Sequence, residues 1–154
     1  MNGNKLATLL LFWVELYRRS TEIPDSKEFK YEFTLEHIMP QKWEQHWSGV
    51  PVYDENGEQV SDEEQIKAIR HSAIYEIGNM TLLNKKLNAS VSNYDFKRKV
   101  EGDSNGRKKG MKTYAGCLIT HEILEKDTWD ERDIKERTEK LSKIIKKLWG
   151  SLLA

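Results

Sequence analysis

Only two segments of this 154-residue sequence have the pattern of a β-strand, and both are short. In the first, SKEFKYEFTLEHI, aromatic residues from Phe29 to Phe33 alternate with polar ones, and Pro40 ends the run. The second is the apolar run in GNMTLLN, which begins after Gly78. Because two short strands make only a small sheet, we expect a mainly helical domain of the α+β class.

Helical patterns fill most of the remaining sequence. The tryptophan-rich stretch QKWEQHWSGV is expected to form a short helix or a loop, and the pair Asn56-Gly57 a turn. Four helical regions are predicted: about 4–19, about 61–75 after a capping box of Ser61 and Glu64, about 85–102 with a break near 90–93, and about 111–150 as two helices.

The two strands and the helix after the second strand predict a ββα core within about 29–100. A chain of 154 residues fits one domain, 1–154, in which helices at about 4–19 and 111–150 flank this core. The apolar stretch LATLLLFWV is far shorter than the ~20 residues that cross a membrane, so we expect a buried helix and no membrane partner. We also expect the chain to be part of a longer protein.

Composition excludes several classes of function. Lys plus Arg and Asp plus Glu both number 25, so a strongly basic nucleic-acid binder is disfavoured, although a local basic patch is not. The single cysteine, Cys117, excludes an internal disulfide and a cysteine-based zinc site. The sequence has no Walker-type motif, so we expect no bound nucleotide. A reducing, cytoplasmic compartment fits this cysteine usage.

A carboxylate and a histidine, Glu36 and His37, stand together at the end of the first strand pattern. A ββα unit can bring this strand end to the same place as the amides Asn79 and Asn88. Histidine is a usable general base near neutral pH. Mg²⁺ prefers oxygen ligands and keeps several waters, so one carboxylate, Glu36, and one amide oxygen, Asn88, would suffice to hold it.

The segments EHIMP, IGNMTLLN, LNASVSN and FKRK, in this order, resemble the HNH (His-Me finger) nuclease pattern. The closest resemblance is to the HNH domain at the C-terminus of GmrSD-type modification-dependent (type IV) restriction enzymes, over roughly 32–149. It implies a ββα-metal core in a divalent-metal-dependent DNA endonuclease of a phage-defence restriction system. It also implies a bacterial or archaeal source and double-stranded DNA as partner. A sensor/NTPase domain or subunit and a homodimer are further possible partners.

The same resemblance implies roles for individual residues. His37 would be the general base and Asn79 would brace the loop that holds it. Glu36 and Asn88 would bind a single Mg²⁺ or Mn²⁺ ion, with no zinc. Many HNH motifs have aspartate before the histidine, and the extra methylene of Glu36 changes how its carboxylate reaches a metal.

A basic run between Lys85 and Lys112 contains nine Lys or Arg residues and three acidic ones. Because it follows the expected metal-binding helix, we expect it to contact DNA. Lys97 and Lys99 lie two residues apart and cannot share one direction on a helix. The resemblance assigns the active-site phosphate to Lys99. The other expected DNA contacts are Lys97, Lys85, Lys86 and Lys108.

Two alternatives from other classes stay open at this point. The first is a non-catalytic DNA- or protein-binding module that retains the HNH fold, and the second is an RNA-cleaving nuclease. The intact motif residues argue against the first, and nothing in the sequence excludes the second. We expect His46, His71 and His121 to be structural or surface groups, with His46 the first exception to consider because it could reach the cleft from the segment after His37. Trp43 and Trp47 are expected to be core residues rather than base-stacking ones.

Overall fold

The computed structural model describes residues 3–24 and 28–153. Its seven α-helices in this part are α1 (Gly3–Glu22), α2 (Glu63–Ile74), α3 (Lys85–Val91), α4 (Phe96–Glu101), α5 (Met111–Tyr114), α6 (Leu118–Leu124) and α7 (Glu131–Leu153). The strands are β1 (Thr34–His37), β2 (Val52–Tyr53), β3 (Gln59–Val60) and β4 (Met80–Leu83). Short 3-10 helices lie at Trp43–Gln45 and Ile77–Asn79. The expected mainly helical α+β fold is confirmed.

The two predicted strand regions pair with each other. β1 and β4 form an antiparallel pair in which Glu36 is opposite Thr81 and His37 is opposite Met80. The chain enters α3 directly after β4, because the Asn84 side chain caps the helix by accepting a hydrogen bond from Leu87 N. Strand, strand and helix therefore follow the predicted order, and His37 lies at the end of the sheet.

The β1–β4 pair lies between two hydrophobic clusters. All four residues of β4 are buried. Met80 and Leu82 belong to a cluster with α1 and α7, whereas Leu83 belongs to a second cluster that contains Trp47. Leu11 of α1 is completely buried in the first cluster. The apolar N-terminal helix thus covers one side of the sheet, as its composition predicts, and holds the sheet in place.

The first strand is shorter than its sequence pattern predicts. No strand is present between 28 and 33, and β1 begins only at Thr34. Phe29 instead stacks on Phe12 of α1 and on Phe33, at centroid distances of 5.4 and 4.9 Å. The alternation of aromatic residues therefore reflects packing against α1, since β4 ends at Leu83, opposite Thr34.

Other boundaries differ from prediction in small ways. Asp62, not Ser61, caps α2, and its side chain accepts a hydrogen bond from Gln65 N. The turn at Asn56-Gly57 is present and joins β2 to β3, with Gly57 at φ 81°. The predicted helix from 111 onward is divided into α5 and α6. Among the described residues, no helix is long and apolar enough to cross a membrane.

Candidate functional site

His37 is the last residue of β1, and one nitrogen of its imidazole is unpaired. Its Nε2 atom is buried and has no hydrogen-bond partner among the described residues. Burial, and secondarily the positive charge of Lys99, lower the pKa of the His37 imidazole below its ordinary value of 6.5. The ring contacts Tyr75 edge-on, at a centroid distance of 6.1 Å. A histidine that is neutral and unpaired near pH 7 is suited to accept a proton.

Asn79 fixes the backbone that follows His37. Its Oδ1 accepts hydrogen bonds from Met39 N at 2.8 Å and from Trp129 Nε1 at 3.2 Å. Its Nδ2 donates to the carbonyl oxygens of Met39 at 2.8 Å and Ile74 at 3.1 Å. Asn79 is fully buried, so each of these bonds lies away from water. These are the contacts that a residue bracing the loop after His37 would make.

Gly78 allows α7 to approach the turn that carries Asn79. A Cβ atom at Gly78 would lie 2.1 Å from Ile134 O and 2.3 Å from Thr138 Oγ1, which only glycine avoids. Gly78 N donates to Thr138 Oγ1 at 3.0 Å. Arg137, also on α7, donates to Gly78 O at 2.7 Å. The C-terminal helix thus helps to position the loop beside His37, although it lies far away in sequence.

Asn88 is anchored to β1 by its amide nitrogen. Nδ2 donates to Thr34 Oγ1 and to Leu35 O, both at 3.0 Å, so α3 is held against the strand one residue before Glu36. No described residue donates a hydrogen bond to its Oδ1, which leaves that oxygen available. Within residues 3–24 and 28–153, no group of three or more His, Cys, Asp or Glu side chains could hold a metal ion.

Glu36 forms a buried ion pair with Lys99. The Lys99 ammonium donates to Glu36 Oε1 and also to His37 O at 2.8 Å. The Lys99 side chain is completely buried and that of Glu36 is 11% exposed. Burial raises the pKa of the Glu36 carboxyl and lowers that of the Lys99 ammonium, while their mutual attraction opposes both shifts. One carboxylate oxygen of Glu36 is thus occupied, and no described residue hydrogen-bonds the other.

The chain matches one family of known proteins over most of its length. The family model described as "GmrSD restriction endonucleases, C-terminal domain" matches residues 2–144 of the chain. The chain belongs to this family. It is therefore a domain related to restriction endonucleases. The matched residues include β1, β4 and α3, and also the residues of α7 that contact Gly78. No curated protein and no solved structure matches the chain significantly.

In this member of the GmrSD C-terminal family, the position of Lys99 corrects one expectation. We expected Lys99 to contact the active-site phosphate of DNA, but its ammonium is enclosed by the protein and paired with Glu36. Lys97 and Lys99 do point in different directions, because Lys97 is exposed whereas Lys99 is buried. The other predicted DNA contacts, Lys85, Lys86 and Lys108, are also exposed.

The sequence itself contains a signal for the buried position of Lys99. Phe96 and Val100 are buried on α4, three residues before Lys99 and one residue after it. Residues three and four apart share a helix face, so the apolar pattern of FKRKV places Lys99 on the inner face. A lysine on an apolar face needs an acidic partner, and Glu36 is that partner.

The other aromatic and histidine candidates have structural or surface positions. Trp47 is completely buried and its Nε1 donates to Tyr94 O at 3.0 Å, so it is a core residue as expected. The Trp43 ring is half-buried and lies 4.6 Å from the guanidinium carbon of Arg70. His71 is exposed and contacts Tyr75. His121 is exposed as well.

We predict that Asn79→Ala lowers both stability and any activity of the domain. The substitution leaves Met39 N, Met39 O and the Trp129 indole without buried partners, and one such unsatisfied group costs roughly 1–3 kcal/mol. Urea denaturation should show a lower midpoint with an unchanged slope. Asn79→Asp puts a buried carboxylate against the carbonyl oxygens of Met39 and Ile74 and should also be destabilised. An Asn79→Ala protein with wild-type stability would show that these bonds do not hold the loop.

Proposed function

We propose that this domain is a divalent-metal-dependent DNA endonuclease that hydrolyses phosphodiester bonds in a restriction system. His37 is the general base that activates a water molecule, and Asn79 holds the loop that positions it. The observation that supports this proposal most is the imidazole of His37, whose pKa is lowered by burial and whose Nε2 has no hydrogen-bond partner among the described residues. Membership in the GmrSD C-terminal family makes a nuclease the favoured class.

The donor set fits a hard divalent cation such as Mg²⁺ or Mn²⁺. Asn88 offers a free Oδ1 and Glu36 one oxygen that Lys99 does not use, and both donors are oxygens of the type that Mg²⁺ prefers. Asn88 contacts β1 at Leu35, directly before Glu36, so the two donors lie on adjacent parts of the fold. These two residues would hold one ion.

When bound, such an ion would neutralise charge that develops on the phosphate during hydrolysis. The residues of the chain supply the remaining parts. His37 accepts the proton of the attacking water at a ring nitrogen and carries it as the imidazolium. The backbone of His37 is held by Lys99 and the following loop by Asn79, so the imidazole is positioned before substrate binds.

Incubation with supercoiled plasmid tests the proposed function. The 154-residue chain should convert the plasmid to nicked or linear DNA with Mg²⁺ or Mn²⁺ and should leave it intact with EDTA. Activity on RNA but not on DNA would favour the RNA-cleaving alternative. No cleavage of either under any metal condition would favour a binding module. A sensor/NTPase domain or subunit and a homodimer are the partners that this function would use.

We predict that Asn88→Ala weakens binding of Mn²⁺ to the protein. The substitution removes the free amide oxygen and also the two hydrogen bonds that hold α3 to β1. Calorimetric titration with Mn²⁺ alone, without DNA, should show a raised Kd, and cleavage should need more Mg²⁺. Asn93→Ala, an amide in the turn after α3, is the matched control. Titrations of Asn88→Ala that overlay the wild type would place the metal elsewhere.

A further inference from the structure

Tyr94 lies at the centre of a basic and aromatic cluster beside α4. The guanidinium carbon of Arg98 lies 3.5 Å from the centroid of the Tyr94 ring, and Nζ of Lys108 lies 5.3 Å from it. Lys108 Nζ also donates to Tyr94 Oη at 3.3 Å. The His46 ring lies 5.5 Å from the Tyr94 ring. We call Tyr94, Arg98, Lys108 and His46 the Tyr94 cluster.

The positive charges of the Tyr94 cluster have no ion-pair partner among the described residues. Among residues 3–24 and 28–153, no carboxylate oxygen lies within 4.0 Å of the charged groups of Arg98 or Lys108. Lys97 and Lys109, exposed on the same helix and loop, have no such partner there either. The buried Nε of Arg98 has no hydrogen-bond partner in the part of the chain that the structure describes. A chain without net charge thus presents a local excess of cations at this surface.

The cluster is held in place before any ligand binds. Trp47 Nε1 donates to Tyr94 O, and the Asp95 side chain accepts a hydrogen bond from Arg98 N at the start of α4. The loop that carries Lys108 is closed by two bonds between Asp103 and Lys108, at 2.9 and 3.0 Å. A surface that is already ordered loses little conformational entropy on binding.

The cluster is attached to helices that also carry residues of the candidate site. Arg98 precedes Lys99 on α4, and Lys99 Nζ contacts His37 O at 2.8 Å. The loop of Lys108 is tied to α3, because Ser90 Oγ donates to Lys109 O at 2.8 Å. Asn88 lies two residues before Ser90 on that helix. The same helices therefore carry the cluster and the residues that we assign to the reaction.

We propose that the Tyr94 cluster binds backbone phosphates of duplex DNA next to the bond that is cleaved. Arg98 and Lys108 each contact a phosphate, and Tyr94 orients both cations. Because the guanidinium of Arg98 covers the Tyr94 ring, the ring positions the cations and does not stack on a base. Phosphate contacts of this kind carry no sequence preference. This inference rests on the proposed function, and it gives the DNA a defined path over α4.

The salt dependence of DNA binding tests this inference. A labelled duplex is titrated with the 154-residue chain in EDTA, which keeps the DNA intact, at several salt concentrations. Each phosphate contact adds roughly 0.9 to the slope of log affinity against log salt. Arg98→Ala/Lys108→Ala should therefore flatten the slope by roughly two units. Lys143→Ala removes an exposed lysine on α7 and should leave it unchanged. Circular dichroism reports whether each variant folds.

The outcomes separate this inference from the proposed function. An unchanged slope in the folded double variant, or no measurable binding by the wild type, overturns the cluster as a DNA surface. Should the double variant not fold, Lys108→Glu in the exposed loop decides, with weaker binding expected. A slope loss seen with duplex RNA and not with DNA overturns the assignment to DNA. Wild type that binds with the expected slope but never cuts plasmid contradicts only the proposed function.

Discussion

Replacing His37 with alanine is expected to slow DNA cleavage by roughly 10²–10⁴-fold, the usual cost of losing a general base. DNA affinity and the fold should change little, because His37 Nε2 makes no hydrogen bond to any described residue that the substitution would break. Single-turnover cleavage of a plasmid gives the rate, and anisotropy gives the affinity. His71→Ala is the matched control, because His71 contacts the same Tyr75 ring. A normal rate in His37→Ala would exclude His37 as the base.

The lowered pKa of His37 predicts the pH dependence of both activity and stability. Since the imidazole stays neutral below its ordinary value of 6.5, the acid limb of log kcat/KM should lie below pH 6.5. In the unfolded chain the same histidine takes up a proton at higher pH, so acid favours unfolding. The free energy of unfolding of the wild type should therefore fall relative to that of His37→Ala as the pH falls through 6.5. Above pH 6.5 the difference between the two proteins should stay constant.

The sequence predicts much of the position of the site, because local patterns determine it. EHIMP ends a strand, GNMTLLN begins another, and LNASV continues as a helix, so the order alone places His37, Asn79 and Asn88 near one another. The structure adds the contacts within this arrangement. Asn79 lies in a bend where a glycine, Gly78, is needed so that α7 can approach. The sequence alone does not show this need, because it depends on where α7 packs.

What the sequence could not supply depends on packing between distant segments. Phe29 and Phe33 alternate with polar residues as in a strand, yet their rings stack beside α1, because β4 ends opposite Thr34 and no other described strand lies beside them. Tyr94 and Lys108 lie far enough apart in sequence that only the closed loop after α4 brings them together. The number of Lys and Arg residues between Lys85 and Lys112 identifies a basic segment in the sequence. This number does not distinguish the buried Lys99 from the exposed Lys97.

The burial of Lys99 makes it a strong determinant of the stability of the domain. Lys99→Met leaves the Glu36 carboxylate buried without its partner, and breaking a buried pair in this way costs about 3–5 kcal/mol. Urea denaturation measures this loss as a lower midpoint. Lys97→Met, on the exposed face of the same short helix, is the matched control and should unfold like the wild type. This expected loss of stability replaces the direct effect on DNA binding that the sequence predicted for Lys99.

The double variant Glu36→Leu/Lys99→Met tests whether the unpaired carboxylate is the cause. Removing both charges should restore part of the stability, because apolar side chains can replace a buried ion pair at little cost. Burial already raises the pKa of Glu36 above 4.5, and Lys99→Met removes the attraction that opposes this shift. A raised carboxyl pKa gives stability that is present below 4.5 and lost as the pH rises. The deficit of Lys99→Met should therefore be smaller at pH 5 than at pH 7, whereas equal deficits would mean that lost packing, and not the carboxylate, destabilises the variant.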